Sequence, residues 1–211
     1  MSFQEIFNIQ QSMTVNNRRT VGQQVTRSGQ IRTSQYLTSV PWVFTIVPHD
    51  FLYYPTARSV IQTIDNLDRF TSAQINFNNS NLNWFVKYQG VATSTPTTMT
   101  LASTPATNST TLSITNVPAG SGAIFKAGDF ICIQGYTYKV TADVTRAATI
   151  SVPIHRPIIG SPTSGTAVLC AENCTFNVYA ESCPTYTLIP MTNGAFIQWD
   201  GPFVFRENVA P

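Results

Sequence analysis

Charge is what this sequence has least of. Only 10% of its 211 residues are Asp, Glu, Lys or Arg, where about a quarter is usual for a globular protein. Thr, Ser, Asn and Gln take their place, so the surface is polar but weakly charged, which suits a chain largely covered by neighbours. The formal net charge of +2 and a pI near 8.4 are too small for the chain as a whole to steer nucleic acid, and no specific nucleic-acid binding is expected. Histidine is nearly absent. His49 and His155 are the only two, each close to a proline in a strand-to-loop setting, and there is no Gly-x-Ser-x-Gly nucleophile elbow. Gly120-Ser121-Gly122 has neither the spacing nor the following lysine of a phosphate-binding loop. Asp65 and Asp68 share a helix face, but beside Arg69 they read as a solvated or salt-bridged surface. No catalytic residue is assigned, no cofactor is implied, and the chain is not expected to be an enzyme.

Long apolar runs are missing too. Nothing approaches the roughly 20 residues needed to span a bilayer, and Met1-Ser2-Phe3-Gln4-Glu5 lacks the basic and apolar regions of a signal peptide. The expectation is a protein made and assembled in a cytoplasm, with no membrane partner. Its four cysteines, Cys132, Cys170, Cys174 and Cys183, are then expected as thiols. Cys170, Cys174 and Cys183 lie close in sequence, with His155 as a conceivable fourth ligand. They lack the paired short spacings of zinc fingers and ribbons, and small buried thiols are the simpler reading, so no metal ligand is assigned.

What is present is ample apolar material, 43% of residues, enough for one long β domain or two small ones. The basic residues are uneven. Arg18, Arg19, Arg27 and Arg32 lie in the first segment with only Glu5 to oppose them, which fits either a solvated strand face or a surface that meets an acidic partner.

Alternation predicts strands between residues 20 and 47, including Gln35–Val40 and Trp42–Val47, with Pro41 marking an edge or bulge. Val60, Ile61, Ile64 and Leu67 recur at helical spacing after Pro55, with Thr56 as the N-cap of one amphipathic helix of about three turns. Strands are predicted at Ala73–Phe77 and Trp84–Tyr88. In the Thr- and Ser-rich stretch that follows, Met99, Leu101, Leu112 and Ile114 alternate with polar residues as two more. Lys126–Asp129 and Gln134–Gly135 are turns around the strand Phe130–Ile133, and Tyr136–Val140 and Thr149–Ile154 complete a small barrel or sandwich, the 90–165 module. The last part reads as a meander: Thr166–Leu169, Thr175–Ala180, Thr185–Ile189, Ala195–Trp199 and Phe203–Arg206.

Several of these runs resemble phage tail and baseplate proteins built on the tail-tube fold. They are Thr38-Ser39-Val40-Pro41-Trp42-Val43-Phe44, Ala57-Arg58-Ser59-Val60-Ile61, Ile64-Asp65-Asn66-Leu67-Asp68-Arg69, Tyr186-Thr187-Leu188-Ile189-Pro190 and the run from Ile197 to Phe205. Ala127-Gly128-Asp129-Phe130-Ile131, the run from Tyr138 to Val144 and the run from Val152 to Pro157 resemble the β module inserted in some of these proteins. The resemblance covers about half the chain. It implies a mainly β chain: a tail-tube-like β-sandwich or split barrel with one flanking α-helix, formed by 1–89 and 166–211 and interrupted by the 90–165 module.

It further implies a structural virion subunit of a bacteriophage tail or baseplate, closed as a homo-oligomeric, usually hexameric ring. Such a ring connects or initiates the tail tube, contacts other tube, hub or baseplate proteins, and leaves a lumen through which the tape measure and DNA pass. Arg18, Arg19, Arg27 and Arg32 are then placed at subunit contacts, because a lumen that lets DNA slide is expected to be anionic. The alternative is a carbohydrate- or receptor-binding β-sandwich module of a phage tail, with Trp42, Trp84 and Trp199 as a stacking platform on one exposed face. An enzyme would require both histidines to converge with a carboxylate in one pocket.

Overall fold

Strand parity, with alternate residues facing inward, organises both ends of the chain around one core. The computed structural model describes residues 3–18, 21–35, 40–67, 71–78, 82–192 and 194–209. It is mainly β, with three helices and a curled half-barrel sheet. A short helix α1 (Gln4–Asn8) leads to β1 (Gln10–Asn16). A hairpin of β2 (Val21–Val25) and β3 (Ile31–Gln35) follows, then β4 (Val43–Pro48), β5 (Leu52–Tyr53) and α2 (Tyr54–Leu67). After β6 (Ala73–Asn76) and the single turn α3 (Asn83–Val86) come β7 (Thr100–Leu101), β8 (Thr111–Thr115), β9 (Ala123–Phe125), β10 (Phe130–Ile133), β11 (Tyr136–Lys139), β12 (Val144–Thr145) and β13 (Thr149–Pro153). The rest is β14 (Leu169–Cys170), β15 (Thr175–Ser182), β16 (Tyr186–Met191), β17 (Gly194–Trp199) and β18 (Phe203–Glu207).

The main sheet has the order β1-β4-β18-β15-β6 and is antiparallel throughout. Phe44 and Ile46 of β4, Phe176 and Val178 of β15, and Phe203 and Phe205 of β18 face inward. α1 adds Phe7, whose ring lies 5.8 Å from Phe44 and 5.1 Å from Phe205. α2 covers the same core with Ala57, Val60 and Thr63, and its Ile61, Ile64 and Leu67 pack alongside. It begins at Tyr54, so Thr56 lies inside its first turn and is not the N-cap. β5 runs straight into it, and Pro55 occupies an early position whose N–H has no helical partner to lose.

Further sequence expectations need correction, among them the Thr166–Leu169 strand, of which only Leu169 lies in a strand, β14. α1 and β1 were not foreseen, and α2 is one of three helices instead of the single one expected. Trp84–Tyr88 is not a strand: Asn83–Val86 is a helical turn. Two consecutive side chains, Phe85 and Val86, pack on the core while Trp84 stands 66% exposed, which a strand's alternation cannot do. The meander does not form either. β15 pairs with β18 and β6, while β16 and β17 leave that sheet as a hairpin whose β17 pairs with β5. β16 is exposed along almost its whole length, so the buried Phe203–Glu207 strand takes the interior place. Gln35 of the predicted Gln35–Val40 strand belongs to β3; residues 36–39, Asp68 and Arg69 lie outside the described residues.

A second core gathers Met99, Leu101, Leu112, Ile114, Ile124, Phe125, Tyr138, Val152, Val168 and Cys170 with their neighbours. Its sheets are β13-β8-β7, β12-β9 and β11-β10-β14. The β10–β11 hairpin turns on Gln134 and Gly135, both at positive φ (51° and 82°), as a two-residue type I′ turn requires. β10 belongs to both cores. Phe130 and Cys132 face the first, Ile131 and Ile133 the second, and all four are buried.

A buried ion pair ties the two cores together. Arg156 Nη1 and Nη2 lie 2.5 Å and 2.7 Å from the Glu207 carboxylate oxygens, and the guanidinium also donates to the carbonyls of Val40 and Thr137. Trp42 completes the junction. Its Nε1 donates to Thr137 O at 2.9 Å, and its backbone N–H donates to Glu207 at 3.1 Å. A buried charge pair is tolerable only with close geometry and added hydrogen bonds of this kind, which here engage both Nη atoms of Arg156 and leave its Nε unbonded.

Candidate assembly surface

Two pairs of strands among the described residues pair only with each other: β9 with β12, which bury Ile124, Phe125 and Val144 in the second core, and the β2–β3 hairpin. Thr26 builds its turn: the Thr26 N–H donates to Gln30 O at 2.9 Å, its hydroxyl accepts the Gln30 N–H at 3.1 Å, and Gly29 adopts φ 78°. Val25 and Ile31 are directly opposed across the ladder, on one face, and are 66% and 64% exposed. Gln24 and Arg32 are opposed on the other face. Two strands alone are marginally stable in water, and an exposed β-branched pair at the end of such a ribbon gains most by being covered.

Arg27 sits in the turn and, like Arg32, is exposed; Arg18, also exposed, precedes the hairpin, its N–H bonded to Asn16 Oδ1 at 3.0 Å. Two of the four candidate interface arginines, Arg27 and Arg32, are thus exposed on the hairpin itself, and Arg18 is exposed after β1. Arg19 lies outside the described residues.

Further apolar exposure lies on the β16-β17-β5 sheet: Leu188 and Met191 on β16, Tyr53 on β5, and Phe51 just before it. β16 is an edge strand with no charged residue to blunt it. Between α2 and this sheet lies a hollow of about 350 Å³ lined by Ile61, Ile64, Asp65, Tyr186 and Trp199.

Other candidates disperse. His49 is exposed at the end of β4, its N–H bonded to Ile9 O, whereas the Nδ1 of His155 accepts the Lys139 N–H at 2.9 Å and its ring packs on Trp42. Cys170 and Cys174 flank a 3-10 turn at Ala171–Asn173, with Cys132 beside Leu169 on β10. Burial pushes the Cys170 and Cys174 thiols upward, away from the thiolate a metal needs. Cys183 lies beyond the far end of β15, against the α2 hollow. Among the described residues no three His, Cys, Asp or Glu side chains gather around a common point. Asp129 is buried, which raises its carboxyl; the N–H groups of Lys126 and Gln89, each donating at 2.8 Å, pull the other way and brace the turn. The tryptophans share no exposed face, because Trp42 and Trp199 are in the core. No helix among the described residues is long and apolar enough to cross a membrane.

The junction pair was missed from sequence, although a signal exists. Phe203, Phe205 and Glu207 have the same parity, so a strand with two inward phenylalanines carries its glutamate inward as well. No protein-family model matches this chain, and no curated protein matches it in sequence.

Proposed function

We propose that this chain is a non-enzymatic structural subunit that assembles with copies of itself into a ring, hexameric as its resemblance to phage tail and baseplate proteins implies. In that reading the ring belongs to the virion, connects or initiates the tail tube beside other tube, hub or baseplate proteins, and leaves a lumen for the tape measure and DNA. The observation that carries self-assembly is the β2–β3 arm, with its opposed Val25 and Ile31 exposed and Arg27 and Arg32 exposed on it. An uncharged edge strand and a weakly charged composition support it.

The test is the solution mass by light scattering across a wide concentration range, with electron micrographs of any large species. Ring-shaped particles are expected. Val25→Glu with Ile31→Glu should abolish them while leaving the unfolding midpoint of the monomer nearly unchanged, because both side chains are exposed. A wild-type chain that stays monomeric beside other tail proteins would overturn the proposal.

A further inference from the structure

We infer that the second unit carries a binding site for a small hydroxylated oxyanion, a sugar-sized molecule bearing one carboxylate or phosphate, centred on Arg146. The irregular segment 91–98 forms one wall of a hollow of about 470 Å³, and residues 118–121 with Arg146 form the other. That volume lies in the range of small-molecule sites. The walls carry the hydroxyls of Thr93, Ser94, Thr95 and Ser121 and no aromatic or carboxylate side chain.

Arg146 is held in place from two sides. Its backbone N–H donates to Gly122 O at 3.2 Å, and its Nη1 donates to the carbonyls of Pro118 and Ala119 at 3.2 Å and 3.0 Å. Gly120 makes room for it, since a Cβ there would stand 2.6 Å from Nη1. No carboxylate of the described residues lies within ion-pair distance of this guanidinium. Its Nε and Nη2 are buried and make no hydrogen bond.

Those two nitrogens form the side-on edge by which arginine grips a carboxylate or phosphate with two parallel hydrogen bonds. A desolvated, unpaired N–H edge on a cation is costly, and an oxyanion relieves that cost and balances the charge. Reaching the edge requires the 118–121 turn to shift, and Gly120 and Gly122, both at positive φ, give it that freedom. The surrounding hydroxyls then serve the neutral part of the ligand.

The site does not depend on ring formation and is tested on the full chain by isothermal titration calorimetry. The probes are glucose 6-phosphate, glucuronate and, as neutral control, glucose. Binding of at least one acidic sugar and not of glucose is expected, weakening with added salt; the two acidic probes separate phosphate from carboxylate. Arg146→Gln should weaken binding at least tenfold, and Lys87→Gln, at an exposed lysine outside the hollow, should not. Absence of heat with both acidic sugars, or equal affinity in Arg146→Gln, would overturn the inference. Should Arg146→Gln fail to fold by circular dichroism, Arg146→Lys, which keeps the charge but loses the two-pronged edge, decides by the same criterion.

Discussion

Arg156 and Glu207 meet where solvent does not reach, with side chains 1% and 0% exposed. Removing one partner strands the other charge in the interior. Arg156→Ala alone should therefore destabilise by roughly 3–5 kcal/mol in urea denaturation, while Arg156→Met together with Glu207→Leu should lose much less. A single variant as mild as the double one would show that water reaches the pair. Tyr88 and Tyr138 make a second case. Burial is the main cause that pushes both hydroxyls up to about 12; the Tyr88 hydroxyl donates to Ile124 O, and that of Tyr138 accepts the Ile159 N–H. The folded protein holds these protons more tightly than the unfolded chain does. Their contribution to stability is thus complete below about pH 10 and lost as pH rises through about 12. Ultraviolet titration should show two tyrosines ionising late, together with a falling urea midpoint over that window. At this scale parity is legible in sequence, as at Phe203, Phe205 and Glu207. The partner of an inward charge is not: Arg156 is brought to Glu207 by a fold that pairs distant strands.

Short elements were legible where a turn imposes its own chemistry. The Gln134–Gly135 hairpin was foreseen from its sequence, and its geometry makes a prediction: Gly135→Ala, forced into φ 82°, should cost about 1 kcal/mol by chemical denaturation. A cost near zero would mean that the turn relaxes to another type. α2 was legible from its spacing, except at its start, where continuity from β5 replaces a capping side chain. α3 was not, because its aromatic and β-branched residues favour a strand locally, and only the core's demand for both Phe85 and Val86 makes a turn of helix. β1 was hidden for another reason. It is an edge strand, mostly exposed and mostly polar, with a bulge between Gln10 and Ser12, so its alternation is confined to Met13 and Val15 between Ser12, Thr14 and Asn16.

Across the whole molecule the mainly β character was legible, while the strand order was not, because β16 and β17 leave the sheet between two strands that pair with each other. The cores are coupled through Trp42, Thr137, Arg156 and Glu207, and Thr137 Oγ1 bonds to Thr175 O at 2.7 Å across the same boundary. Calorimetry should accordingly show one cooperative transition, with equal calorimetric and van't Hoff enthalpies; two resolved transitions would show that the junction is weaker than its hydrogen bonds suggest. β10 has a consequence for engineering. With Phe130 and Cys132 turned one way and Ile131 and Ile133 the other, it is a party wall. Splicing residues 90–165 out as a cassette would tear that wall from the half left behind and bare its aromatic interior to water, so the two halves are exchangeable only as a pair.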